Sequence, residues 1–139
     1  MNRRELLKAS FAACGLGIVA SSVLLDSCTK INDTPQGPSA NFTLDLSSSA
    51  YSALQNPGRY VYKNGVIVAN TGQNNFIAVS QTCTHQGCTV QFDNSSGDFV
   101  CPCHGGTFSQ SGKVLFGPPA YPLKTYKTSL SGNILTISG

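Results

Sequence analysis

Both histidines of the chain and four of its six cysteines fall in two short stretches: Cys83-Thr84-His85-Gln86-Gly87-Cys88 and, thirteen positions further on, Cys101-Pro102-Cys103-His104. No other feature constrains the fold as strongly, because the two stretches must meet for their chemistry to be used. The spacings Cys83-x-His85 and Cys101-x-x-His104 offer two thiolates and two imidazoles, a soft set that suits zinc or an iron–sulfur centre. A tetrahedral structural zinc site would be complete with those four residues and would leave Cys88 and Cys103 unexplained. In an oxidising compartment these two can pair across the loops.

The flanking sequence is built of short β runs. Residues 42–46 (FTLDL) put Phe42, Leu44 and Leu46 on one face, and residues 60–70 (YVYKNGVIVAN) form a hairpin around Asn64-Gly65, the favoured type I′ turn pair. Runs at 76–80 and 89–93 flank the first Cys/His stretch, and Ser95 to Asp98 turn the chain into Phe99-Val100 and the second. A closing hairpin is expected across Ser131-Gly132-Asn133. After residue 40 only 47–55 suggests a helical turn. The expected fold is all-β, with small antiparallel sheets and two Cys/His loops at one end. Low charge (11%) and the absence of Trp fit this class better than a helical bundle.

The first 27 residues read as an address. Arg3, Arg4 and Lys8 precede an uncharged stretch from Ala9 to Leu25, too short for an ordinary spanning helix and suited to a signal core. The sequence NRRELLK resembles a twin-arginine export signal. Leu24-Leu25-Asp26-Ser27-Cys28 resembles a bacterial lipobox, with Asp26 unusual at its position and Cys28 as the residue to be acylated; the alternative is an uncleaved signal anchor. Residues 28–41 read as a polar tether to a domain spanning 42–139. The domain is therefore expected in a bacterial cell envelope, membrane-anchored, on the periplasmic side. From Cys28 onward six Lys/Arg face four Asp, too few and too scattered for a nucleic-acid surface.

CTHQGC followed by CPCHGG resembles the cluster-binding motif of Rieske iron–sulfur proteins, in the subtype with an inter-loop disulfide, and Gly117-Pro118-Pro119 is similar to that family's proline loop. The resemblance covers roughly residues 42–139. It implies a 2Fe–2S cluster with Cys83 and Cys101 on the inner iron, His85 and His104 on the outer iron, and a Cys88–Cys103 disulfide. It also implies that Gly117, Pro118 and Pro119 cover the third side, and that His85, His104 and Gln86 form the electron-exchange surface. Gly87 and Gly105 suit sharp turns beside the sulfides. Neutral imidazoles in place of two thiolates raise the potential above that of all-cysteine clusters.

Three positions depart from the quinol-oxidising members of that family. Those proteins often carry Ser and Tyr where this chain has Gly106 and Phe108, and Leu where it has Gln86. Loss of both hydroxyl donors is expected to lower the potential. The function implied is one-electron transfer by a membrane-tethered subunit of a quinol-oxidising complex, with a cytochrome b-type partner and a c-type cytochrome as acceptor. The alternatives are an independent lipoprotein carrier or the small subunit of another periplasmic oxidoreductase of arsenite-oxidase type, and, remotely, a structural zinc module. No nucleophile–base pair lies outside the motif, so no catalytic residue is expected and the chain is not expected to be catalytic alone.

Overall fold

The computed structural model describes residues 37–119 and 121–139; the segment read as a signal, Cys28 and the first part of the stretch read as a tether lie outside the described residues. Among the described residues ten strands are found: β1 (Asn41–Asp45), β2 (Tyr60–Lys63), β3 (Val66–Gly72), β4 (Asn75–Ser80), β5 (Gln91–Asp93), β6 (Asp98–Val100), β7 (Thr107–Phe108), β8 (Val114–Phe116), β9 (Thr125–Ser131) and β10 (Ile134–Ser138). They form a six-stranded sheet in the order β1-β10-β9-β4-β3-β2 and a four-stranded sheet in the order β5-β6-β7-β8. Every pairing is antiparallel. The fold is the all-β architecture expected. Among the described residues no helix is long and apolar enough to cross a membrane.

Strand β3 explains how two sheets share one body. Its run Val66-Ile67-Val68-Ala69 is fully buried, and successive side chains point to opposite faces of a strand. Val66 and Val68 enter a first core with Leu44, Leu54, Ala78, Leu135 and Ile137. Ile67 and Ala69 enter a second with Val79, Val90, Phe92, Phe99 and Phe108. An uninterrupted apolar run is the sequence mark of a strand buried on both sides. The Asn64-Gly65 turn that leads into it has φ of 50° and 80°, the conformation a type I′ hairpin requires. The next turn uses Gln73 and Asn74 at φ 51° and 58° without any glycine.

Asn70 ends the apolar run and is nevertheless buried. Its side-chain amide donates to the Leu54 carbonyl (2.8 Å) and its Oδ1 accepts from the Gly72 N–H (2.8 Å), so the buried polar group is satisfied. The first of these bonds fastens a 3₁₀ turn at Ser52–Gln55 to β3; the helical tendency of residues 47–55 is confined to those four residues.

In the four-stranded sheet, Asp93 organises the β5–β6 connection: Oδ1 accepts from the Ser95 N–H (2.9 Å) and hydroxyl (2.6 Å). These bonds, the hydroxyl's foremost, hold its carboxyl below the usual range. Strands β7 and β8 pair with an irregularity, Phe108 opposite Val114 but Thr107 opposite Phe116, so Leu115 is an extra residue. The bulge breaks the alternation, leaving Val114 partly buried and both Leu115 and Phe116 facing out.

The chain is already held before β1 begins. The Pro38 carbonyl accepts from the Tyr126 hydroxyl (2.6 Å) and from Lys124 Nζ (3.2 Å), while Ala40 and Gly139 exchange two backbone bonds. A β-carbon on Gly65 would lie 2.8 Å from Pro38 Cγ, so the proline ring rests on the β2–β3 turn.

Candidate metal centre

The two Cys/His stretches fold into loops with the same backbone pattern. In the first, the Cys83 N–H donates to the Cys88 carbonyl (2.7 Å) and the Gly87 N–H to the Cys83 carbonyl (3.0 Å). In the second, the Cys101 N–H donates to Gly106 (2.7 Å) and the Gly105 N–H to Cys101 (3.0 Å). Each loop thus closes a six-residue ring starting at a cysteine, with a glycine at the fifth place. Gly87 and Gly105 sit at φ 73° and 70°, a region glycine enters without steric cost. The preceding strands aim the rings: β4 runs into the first and β6 into the second.

This shared geometry sorts the four ligand-type side chains by depth. Cys83 and Cys101 are 3% and 2% exposed and belong to the second core. His85 and His104 are exposed, and their rings stand edge to face with centroids 5.0 Å apart. A thiol pair lies inward and an imidazole pair outward. Burial pushes the Cys83 thiol up, and backbone N–H groups of His85 and Gln86 directed at its sulfur oppose that shift. Such donors favour a sulfur carrying negative charge.

Cys88 and Cys103 are joined by a disulfide, with Cα atoms 6.5 Å apart, so the inter-loop pairing is present. The sulfurs of Cys88, Cys101 and Cys103 all lie within 4.8 Å of one another, which sets the cross-link against the buried Cys101 thiol. Among the described residues Cys83 and Cys101 are the free cysteines. With the spare pair consumed, two buried thiols and two exposed imidazoles remain. That donor set suits a binuclear iron–sulfur group with differently ligated irons.

A third segment closes the site. A β-carbon on Gly117 (φ 97°) would lie 2.8 Å from Gly106 Cα, and one on Gly106 would lie 2.7 Å from Pro119 Cγ. Gly117 and buried Pro119 therefore pack directly on the second loop, while Pro118 is exposed. The first loop reaches the same segment through the Thr84 hydroxyl, which donates to the Tyr121 carbonyl (2.7 Å). Gln86 is exposed at the tip of the first loop, and Phe108 is fully buried beneath the second.

At Gly106, read from sequence as a position lacking a hydroxyl donor, the space a side chain would take is filled by Pro119. Sequence reasoning did not single out Thr84, Leu115, Phe116 or Tyr121. Thr84 lies inside the first motif, but its role depends on a partner 37 residues away.

The family model of the Rieske [2Fe-2S] domain matches residues 43–127. The chain is 32% identical, over 98% of its length and 75% of the relative's, to the cytochrome b6-f complex iron-sulfur subunit of Chlorobaculum tepidum. It is 41% identical to the corresponding subunit of Chlorobaculum thiosulfatiphilum over 52% of this chain and 40% of that one. Among solved structures, a plasma-membrane Rieske protein from Synechocystis PCC 6803 is 41% identical, with a TM-score of 0.50, covering 58% of this chain and 84% of that one. The ferredoxin of carbazole 1,9a-dioxygenase from Nocardioides aromaticivorans shares the fold at a TM-score of 0.53 and 23% identity, covering 62% of this chain and 91% of that chain.

Proposed function

This chain belongs to the Rieske [2Fe–2S] domain family, and we propose that it is the membrane-tethered electron-transfer subunit of a quinol-oxidising complex containing a cytochrome b-type partner. The family assignment brings with it a 2Fe–2S cluster, which when bound supplies one-electron transfer at a potential raised by imidazole ligation. The observation that carries the reading is the depth sorting of the paired loops: thiols inside, imidazoles outside and 5.0 Å apart. Cys83 and Cys101 are the inner ligands and His85 and His104 the outer ones. Gln86 lies on the electron-exchange rim beside the histidines, and Gly117, Pro118 and Pro119 screen the third side from water.

The likeness to cytochrome b6-f iron-sulfur subunits supports the choice of complex, with a c-type cytochrome as acceptor. Acylation of Cys28, after twin-arginine export and cleavage, holds the domain to the periplasmic face of a membrane. Iron and labile sulfide, two of each per chain, together with a rhombic low-field signal from the reduced protein, test the ligand assignment. Zinc in their place would reject it. Cys28→Ala tests the anchor and is expected to leave an uncleaved precursor.

A second reading rests on Gly106 and Phe108. Neither side chain can donate a hydrogen bond, which suits a lower-potential independent carrier or a subunit of another periplasmic oxidoreductase. Isolation from native membranes separates the two. A cytochrome b-type subunit that copurifies supports the first, and recovery of this chain alone or with a molybdopterin subunit supports the second.

A further inference from the structure

Six large apolar side chains are notably exposed among the described residues, and three of them fall within seven positions: Leu115 (53%), Phe116 (73%) and Tyr121 (56%). They flank the Gly117–Pro119 segment packed on the second loop, and Tyr121 is fastened to the first through Thr84. We propose that Leu115, Phe116 and Tyr121 form a lipid-contacting surface that seats the metal-centre end of the domain on the membrane interface. Exposed apolar side chains concentrated along one short segment mark a candidate interaction surface. Here the bulge at Leu115 is what turns two consecutive apolar residues outward, where regular pairing would have buried one of them.

Two further observations favour a bilayer as the occupant. The first is charge. From Phe99 to Gly139 the chain holds Lys113, Lys124 and Lys127 and no acidic residue. Phe, Leu and Tyr accompanied by lysine is the composition of segments that lie in the interface of anionic membranes.

The second is where the tether arrives. Pro38 rests on Gly65 and is bonded by Lys124; the Gly65 carbonyl accepts from Gln81 (3.0 Å) and the Lys124 carbonyl from Ser80 (2.8 Å). Ser80 and Gln81 lead directly into Cys83, so the tether joins the domain at its metal-centre end. Between Cys28 and Gly37 the chain can span at most about 30 Å. This step rests on the tethering reading above. A domain leashed so shortly, at that end, can lay the three side chains against the lipid while keeping His85 and His104 at membrane level. The electron donors it meets are then those dissolved in, or embedded in, the bilayer.

The chain contains no tryptophan, so Phe116→Trp in the full-length holoprotein places a single reporter in the patch. Ile134→Trp, at the opposite end of β9 and β10, is the control. Each variant is reconstituted with phosphatidylglycerol–phosphatidylcholine vesicles and floated. The expected result is that both float, that the emission of the Phe116→Trp protein shifts to the blue and is quenched by brominated lipid, and that the emission of the Ile134→Trp protein does neither. Flotation of the Phe116→Trp protein with its emission unshifted overturns the inference and leaves the tether intact. A shift in that variant only on adding a membrane-protein partner also overturns it, assigning the patch to protein. Failure to float removes the tethering reading, and with it this one.

Discussion

Gly106 and Pro119 compete for one space: a β-carbon at Gly106 would sit 2.7 Å from Pro119 Cγ and 3.0 Å from its Cδ. Real β-carbons do not come that close, so a side chain here must push the proline segment away from the second loop. Gly106→Ser is accordingly expected to destabilise the domain by about 1–3 kcal/mol, the usual range for overpacking. It should also shorten the lifetime of the cluster in a chelator, followed as loss of visible absorbance. Unchanged stability and lifetime would mean that the segment yields freely and is no cover.

The disulfide is the most direct link between the loops. It closes a sequence separation of 15 residues, for which constraint of the unfolded chain is worth about 3 kcal/mol. Cys88→Ser and Cys103→Ser should each lower the unfolding free energy by roughly that amount, and release iron faster than the parent. Denaturant titration of the three proteins measures the first effect, and iron release into a chelator the second. Peptide mapping that finds two free thiols in the oxidised parent would contradict the cross-link.

Phe108 is the cleaner site at which to ask whether a missing hydroxyl sets the potential. It is fully buried, paired with Phe99 in register, and in the same core as Cys83 and Cys101. Phe108→Tyr should raise the midpoint potential if the new hydroxyl reaches a sulfur, because a donated bond favours the more negative reduced state. The parent should lie in the lower half of the Rieske range, which runs from roughly −150 to +300 mV. If the hydroxyl finds no partner, the variant instead loses about 1–3 kcal/mol of stability with its potential unmoved. Voltammetry and a melting curve on the same sample distinguish the outcomes.

Tyr62 couples the domain to alkaline pH. Its hydroxyl donates to the Val90 carbonyl (2.8 Å) at the exit of the first loop, and burial, followed by its neighbour Tyr60, pushes its pKa up to about 12 from the ordinary 10.0. The folded state thus holds a proton that the unfolded chain has already lost. The resulting stabilisation is fully present below pH 10.0 and is lost as pH rises from there through about 12. Because the side chain is part-exposed, we discount the contribution to on the order of 1 kcal/mol. Tyr62→Phe should flatten the fall in stability over that window. A parallel decline in the variant would place the titration on another group.

The motif-bearing loops were legible because six side chains of unusual chemistry sit at short spacings in them, and Asn64-Gly65 marked its hairpin as clearly. What escaped was short or depended on partners far along the chain. Strands β7 and β8 are two and three residues long, with a bulge that destroys the alternation by which a strand is read. Asn70 sits in an apolar run as though it ended the core; only the distant Leu54 carbonyl explains its burial. Gly106 read in sequence only as a lost hydroxyl; that a side chain there would also run into Pro119 depends on a residue 13 positions away.

The double burial of β3 has a consequence for how the protein comes apart. One strand supplies Val66 and Val68 to the core of the larger sheet and Ile67 and Ala69 to the core that houses the thiols. Neither half can melt while the other persists, since peeling β3 from one side strips the apolar wall from both. The two sheets therefore constitute a single cooperative unit. Amide protons of β3 should be the last to exchange with deuterium, and unfolding of either sheet must cost nearly the global free energy of the domain.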